Sequence, residues 1–287
     1  MITDYLFAGI AVFGAVIGTA TDLKGRWVPD WINYFMIASG LLGHTIISLM
    51  ESSIWPVISS LVIAGIFLSV GTLMVYGGLW GGGDAKMLVG FGALLPTTSI
   101  IETPWPFPLT LWFNILIFGI ALGIFGTLIL ILKNKGAFLK ELKTEVEKNK
   151  LILLISPAVL IIPAVSFYFN QGIIAVIGAL LFLLIPLVFI LKATEKACMF
   201  KFIKPSQLVE GDWLTDDINV ADYVYKPARS GIEIKDIKEL QKLEKQGKLK
   251  HVRVKEGLPY VPAFLAGLLF SLFFGDVVYS LIMAALI

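Results

Sequence analysis

The chain has 287 residues, 57% of them apolar and only 15% charged, with a formal net charge of +2. Soluble domains carry about 25% charged residues, and here the apolar residues fall in long runs, so the composition excludes a soluble globule and points to an all-α polytopic membrane protein. A single cysteine, Cys198, excludes an internal disulfide and a Cys-rich zinc site. No nucleic-acid partner is expected; the lipid bilayer is.

The first apolar run, about 2–20, has no positively charged stretch ahead of it and reads as a permanent helix rather than a cleaved signal. It ends at Thr21-Asp22-Leu23-Lys24-Gly25-Arg26-Trp27-Val28-Pro29-Asp30. A second helix follows over about 31–50, with Pro29 at or just before its start and Asp30 placed as its N-terminal cap. Glu51-Ser52-Ser53 turns the chain into a third helix, about 54–79. Next comes Gly81-Gly82-Gly83-Asp84-Ala85-Lys86, then a fourth helix expected over about 85–101. Glu102 with Pro104, Pro106 and Pro108 forms a loop before a fifth helix, about 109–132.

Residues 133–150 are basic, with Phe138, Leu142 and Val146 recurring every four positions, as on a helix lying on the membrane or extending the fifth. Two further spans, about 151–169 and 173–191, are joined at Asn170-Gln171-Gly172. Residues 192–257 are polar enough for a small α/β soluble domain. Within it Ser230-Gly231-Ile232-Glu233 reads as a capping box, Ile234, Ile237, Leu240 and Leu243 repeat at helical spacing, and His251 to Lys255 alternates as a strand. A final apolar segment fills 258–287, interrupted by Asp276 either at its outer end or within a tilted helix. The division is therefore a transmembrane core over 1–132, a basic segment over 133–150, two additional helices over 151–191, a soluble domain over 192–257 and a last helix over 258–287. The expected total is eight spans.

The 23 Lys and Arg residues test that count. Two lie after the first helix, one is Lys86, six fall in 133–150 and fourteen in 192–257, all on one side of an eight-span topology. The other side carries acids such as Asp4, Glu51 and Glu102. The positive-inside rule then places the termini outside, and Asp22, Asp84 and the soluble domain at the cytoplasmic face of the cell membrane.

Asp22 and Asp84 are the candidate chemistry. An ionisable group at the bilayer is costly and functional by default, against the plainer reading of a glycine turn with a capping aspartate. Three glycines before Asp84 tolerate positive φ or a close backbone approach, which marks Gly81 and Gly83, with Lys86 just beyond, as loop-shaping or substrate-contacting candidates. Two carboxylates brought together do not both ionise easily, so one stays protonated while the other acts as base. Such a pair activates water and protonates a leaving group without metal or cofactor. His44, inside the second helix, reads as an interhelical hydrogen-bonding group, and His251 has no Cys or His beside it to form a metal site.

These residues carry a resemblance. Gly81-Gly82-Gly83-Asp84 fits G-x-G-D, and Asp22 with Val28-Pro29-Asp30 resembles the D-x5-(V/I)-P-(N/D) pattern of the type IV prepilin peptidases, in particular the archaeal preflagellin (prearchaellin) and prepilin branch. Leu208 to Trp213 and Val254 to Pro262 are similar to that branch's cytoplasmic domain and entry to its last helix. The resemblance implies an aspartic endopeptidase with Asp22 and Asp84 catalytic, acting on precursor type IV pilins or archaellins that carry a short basic leader before a hydrophobic helix. It also implies six spans, two fewer than expected here, and many relatives have Asn where Asp30 stands. The cysteine pairs of bacterial relatives are not matched, so only the protease activity is implied. A presenilin-like or signal-peptide-peptidase-like protease also uses G-x-G-D, but its second aspartate follows Tyr, whereas Asp22 follows Thr21. A transporter would place glycine breaks and acids at mid-bilayer. Glu210, Asp212, Asp216 and Asp217 either attract a basic leader or form a solvated face.

Overall fold

The computed structural model describes residues 2–168, 172–220, 223–228 and 231–286. Its contacts divide it into two compact units, one comprising 1–123, 203–252 and 257–287, the other 124–202 and 253–256.

The first unit begins with α1 (Ile2–Gly25), α2 (Asp30–Met50), α3 (Trp55–Tyr76) and α4 (Gly82–Leu94), and continues into α5 (Phe107–Lys133). Helix α4 is its centre. Ala85 and every residue from Met87 to Leu94 are buried, packed by α2 and α3, and the core continues through Ile32 and Met36 of α2, Ile115 of α5, and Phe264 and Leu268 near the chain's end. Among lipid tails, helices gain from close backbone approach rather than from hiding apolar surface, so small residues mark such contacts. Gly40 of α2 is the clearest: a Cβ there would stand 2.5 Å from the Ala93 carbonyl carbon.

Helix α4 stops at Leu94, not at the expected 101. Pro96 follows, and the terminal carbonyls that a helix leaves orphaned find side-chain donors on its neighbours. Ser60 of α3 donates to the Ala93 carbonyl at 2.7 Å, and His44 of α2 bonds the Leu94 carbonyl through Nε2 at 3.2 Å. In a bilayer an unsatisfied carbonyl is costly, so these two bonds let a helix of 13 residues end inside protein.

The unit's polar segment holds β2 (Trp213–Leu214), the antiparallel hairpin β3 (Ile218–Val220) with β4 (Tyr223–Tyr225), and α10 (Ile234–Lys245). Ile237, Leu240 and Leu243 of α10 are buried while Ile234 is exposed. Tyr223 donates to Asp236 at 2.7 Å; burial, then this carboxylate partner, push the phenol's pKa well up. The expected capping box is not the start of α10: the N-cap is Glu233, without a side-chain cap bond, and Ser230 lies outside the described residues. After it come α11 (Val261–Phe273) and α12 (Val277–Leu286). Asp276 separates these two as the cap of α12, accepting from the Tyr279 amide at 2.8 Å. Asn114 of α5 holds the break, donating to Ser271 at 2.8 Å and to the Gly275 carbonyl at 2.7 Å, and accepting from the Val277 amide at 3.0 Å.

The second unit contains the latter part of α5, then α6 (Lys135–Lys148), α7 (Lys150–Ile155), α8 (Ile161–Tyr168) and α9 (Gly172–Cys198). Strand β1 (Phe200–Ile203) neighbours β5 (Val252–Lys255), the predicted strand less its first residue. Buried Glu145 of α6 pairs with Lys196 of α9, and Lys255 with Glu195 at 2.8 Å. The expected turn at Asn170-Gln171 lies outside the described residues.

Among the described residues, five helices are long and apolar enough to cross a membrane: Ile2–Gly25, Asp30–Met50, Trp55–Tyr76, Phe107–Lys133 and Ile177–Cys198. A sixth is reached if 135–148 and 150–166, bent by 79°, are taken as one. The polytopic helical class stands, but the count of long helices falls short of eight. Helix α4 is too short, 151–168 is broken into α7, a 3-10 turn and α8, and the last segment divides at Asp276.

Gly40→Ala should therefore lower the thermal unfolding midpoint of the detergent-purified protein, by the equivalent of about 1–3 kcal/mol of overpacking. Gly65→Ala, where nothing lies within 4 Å of a new Cβ, should leave the midpoint unchanged.

Candidate active site

Asp22 lies in the last turn of α1 and is 6% exposed. Its Oδ2 accepts a hydrogen bond of 2.9 Å from the backbone amide of Val261, the first residue of α11. A helix's first amides have no partner of their own and favour an anionic one. Pro262 in the next position has no N–H to offer, so the carboxylate is held by Val261 together with the backbone amide of Tyr260 before it. Beyond Asp22 the chain closes α1 with Arg26 N–H bonded to the Asp22 carbonyl at 2.9 Å and Arg26 at φ 59°, then turns into α2.

Asp84 is the third residue of α4, and its Oδ2 accepts from the Gly81 amide at 2.9 Å. This is the reciprocal half of a capping box, with Gly81 as N-cap at φ −79° and ψ 162°. The plainer reading is thus true as far as it goes: Asp84 does cap its own helix, through one oxygen. Asp22 and Asp84 also lie within electrostatic range of one another.

None of Gly81, Gly82 and Gly83 has a positive φ; the left-handed glycine nearby is Gly78, at φ 69°. The glycines serve approach instead. A Cβ on Gly83 would stand 3.0 Å from Val28 Cβ, whereas one on Gly82 would meet nothing within 4 Å. Asn33 of α2, fully buried, donates to the Gly83 carbonyl at 3.3 Å. The start of α2 therefore braces the glycine loop.

Lys86 and Asp30 complete that brace. Lys86 Nζ lies 2.6 Å from Asp30 Oδ1 and 5.6 Å from the centre of the Tyr34 ring. Asp30 is not the cap expected of it. The N-cap of α2 is Pro29, which has no capping side chain, and the Asp30 carboxylate turns to Lys86. Both side chains are exposed, so the pair contributes little to stability, about 0–1 kcal/mol.

The residues that sequence reasoning missed are Val261, Asn33 and Trp80. Val261 acts through its backbone, so its side chain carries no signal; the clues were Pro262, which marks a helix start, and the likeness of 254–262 to a last-helix entry, neither of which points to Asp22. Asn33 was a polar residue in an apolar helix. Trp80, directly before the glycines, is only 3% exposed.

Residues 9–132 match the type IV leader peptidase family, and the resemblance drawn from Asp22 and the G-x-G-D stretch is borne out there. The chain is similar to a preflagellin peptidase of Methanococcus voltae, 32% identical over 154 residues that make up 50% of this chain and 60% of that one. It is similar also to a preflagellin peptidase of Methanocaldococcus jannaschii, 30% identical over 126 residues, 40% of this chain and 53% of that one. A prepilin peptidase of Methanothermobacter thermautotrophicus is 29% identical over 127 residues, 40% of this chain and 33% of its own. The chain thus spans less than two thirds of the length of each of these relatives. No solved structure matches the chain.

The glycine geometry gives a graded expectation. Gly83→Ala should reduce activity and Gly83→Val should reduce it further, because each pushes the loop off Val28, while Gly82→Ala should be tolerated. Initial rates of the purified variants on one precursor peptide check this. Equal tolerance at both positions would mean that the loop's approach to α2 is not required.

Proposed function

We propose that the protein is a membrane-embedded aspartic endopeptidase that removes short basic leader peptides from prepilin- or prearchaellin-type precursors at the cytoplasmic face of the membrane. The observation that carries this reading is the pairing of Asp22 and Asp84, each oriented by backbone amides and within electrostatic range of the other, inside the stretch that matches the type IV leader peptidase family.

In this reading one carboxyl group is ionised and the other protonated. The ionised one takes a proton from water as the water oxygen bonds to the scissile carbonyl carbon, and the protonated one delivers its proton to the carbonyl oxygen. The gem-diol then collapses: the carboxylate takes the proton of one of its hydroxyls as the C=O bond re-forms, the C–N bond breaks, the amine nitrogen takes the proton of the protonated carboxyl, and the pair returns to its starting charge. Amides at fixed positions orient each carboxyl so that an oxygen is left for water. Gly81, Gly83 and Lys86 shape the loop beside the scissile bond.

The distribution of Lys and Arg supports placing 24–30, 81–86, 133–150 and 192–257 in the cytoplasm and the termini outside. In that arrangement α4, the α7–α8 segment and the α11–α12 segment complete eight passes or partial passes. The precursor's hydrophobic helix docks in the bilayer beside α1 and α4 while its basic leader remains in the cytoplasm, where acids such as Glu210, Asp212, Asp216 and Asp217 attract it.

Asp22→Asn and Asp84→Asn should each abolish leader removal in a co-expression gel-shift assay while the protein still inserts in the membrane. EDTA should leave the wild-type rate unchanged. Cleavage by either Asn variant, or a loss in EDTA that zinc restores, contradicts the mechanism.

Reversing the leader's Lys or Arg residues to Glu should slow cleavage in membranes, more at low salt than at high. Neutralising Glu210, Asp212, Asp216 and Asp217 together should give a milder defect. An unchanged rate for a correctly inserted, charge-reversed leader means that the leader is not read electrostatically.

A further inference from the structure

The amides of Val261 and Gly81 hold the aspartates, and the Tyr260 amide adds a second bond to Asp22. The residues one step before them, Tyr260 and Trp80, meet: their ring centroids are 5.5 Å apart with planes at 45°. Both rings pack on Phe264 of α11, at 5.0 Å for Trp80 and 5.8 Å for Tyr260, and Trp80 also meets Trp112 of α5 edge-on at 5.5 Å. On α5, Gly119 leaves room for the phenol; a Cβ there would overlap the Tyr260 hydroxyl and stand 2.5 Å from its Cζ.

We propose that the Trp80–Tyr260 contact is a strut that sets the separation of Asp22 and Asp84, with both aromatic residues acting as positioning residues. The proposal rests on the aspartic-peptidase reading above. Each ring is joined through one trans peptide unit to the amide that holds an aspartate, and such a unit is rigid, with Cα atoms about 3.8 Å apart. A change at the ring contact is therefore passed to the amides, and from them to the carboxyl groups. Buried aromatic rings suit the task because they are large and their packing geometry is specific. The strut joins segments that are otherwise distant in the chain, the loop before α4 and the entry to α11. The rings act through the amides that orient the carboxyl groups, so their effect belongs in the chemical step rather than in binding.

The test uses full-length protein in proteoliposomes and a synthetic prearchaellin-type precursor. Trp80→Leu and Tyr260→Leu should each lower kcat about tenfold or more, as expected for a small displacement of reacting groups, with KM little changed. The double variant should fall no further than the worse single one, because both remove the same contact. Trp80→Phe and Tyr260→Phe, which keep a ring, should restore kcat to near wild type. Gly119→Ala, which displaces the phenol while keeping both rings, should reproduce the loss of kcat; where a Leu variant fails to fold, this variant tests the strut in its place, and a wild-type kcat for it overturns the strut. A rise in KM with kcat unchanged, losses that multiply in the double variant, or Phe variants as impaired as the Leu variants would each overturn it as well. The last of these would assign the effect to the hydrogen bond from the Trp80 indole N–H to the Tyr260 hydroxyl rather than to the ring contact. Asp22→Asn and Asp84→Asn run in parallel: cleavage by these overturns the peptidase reading itself, whereas inactive Asn variants beside fully active ring variants overturn the strut alone.

Discussion

One hydrogen bond, from the Val261 amide to Asp22, joins residues 239 positions apart, and the site depends on it. It satisfies the first free donor of α11 and orients a carboxylate at the end of α1 with the same two atoms. In a membrane this economy matters, because neither an orphaned amide nor an unpaired carboxylate is tolerated in apolar surroundings. The same logic recurs at α4. Its first turn is capped by Asp84 through the Gly81 amide, and its last carbonyls are met by Ser60 and His44. A short buried helix is possible only because both of its ends are satisfied by side chains.

This explains why the pieces of the site come from distant parts of the chain. α1 contributes one aspartate and α4 the other. The start of α2 braces the glycine loop through Val28, Asn33 and the Asp30–Lys86 pair. The entry to α11 supplies the amide for Asp22. The match to the type IV leader peptidase family covers the first three of these but ends at residue 132, so the hydrogen bond from the α11 entry is read from the geometry.

What the sequence made legible follows from how each signal arises. Long apolar runs reveal α1, α2, α3 and α5, since a membrane span must be both apolar and long. Asp22 and Asp84 stand out because acids are rare beside such runs. Helix α4 is legible in kind but not in length: apolarity continues to Ile101, while the helix ends at Leu94 where Pro96 and two distant donors permit it. Hydropathy does not report where carbonyls find partners. Asp30 departs from expectation for a similar reason. A residue beside a helix start is a cap by local rules, and its partner Lys86 lies 56 positions away. Gly83 stands out in the sequence, but it serves close approach rather than positive φ. The eight-span count comes from the apolar runs and is tested by charge alternation, and neither signal reports where a helix breaks or ends.

The central claim is that Asp22 and Asp84 face each other at a water-accessible membrane face. The most direct measurement replaces Cys198 with Ser, introduces Asp22→Cys and Asp84→Cys together, and treats inverted membrane vesicles with a short, membrane-impermeant bifunctional thiol reagent. Intact mass then distinguishes a single bridging adduct from two separate ones. The account expects one bridge, formed from the cytoplasmic side. Two independent adducts on the folded protein, or modification only from the outer side, would contradict it.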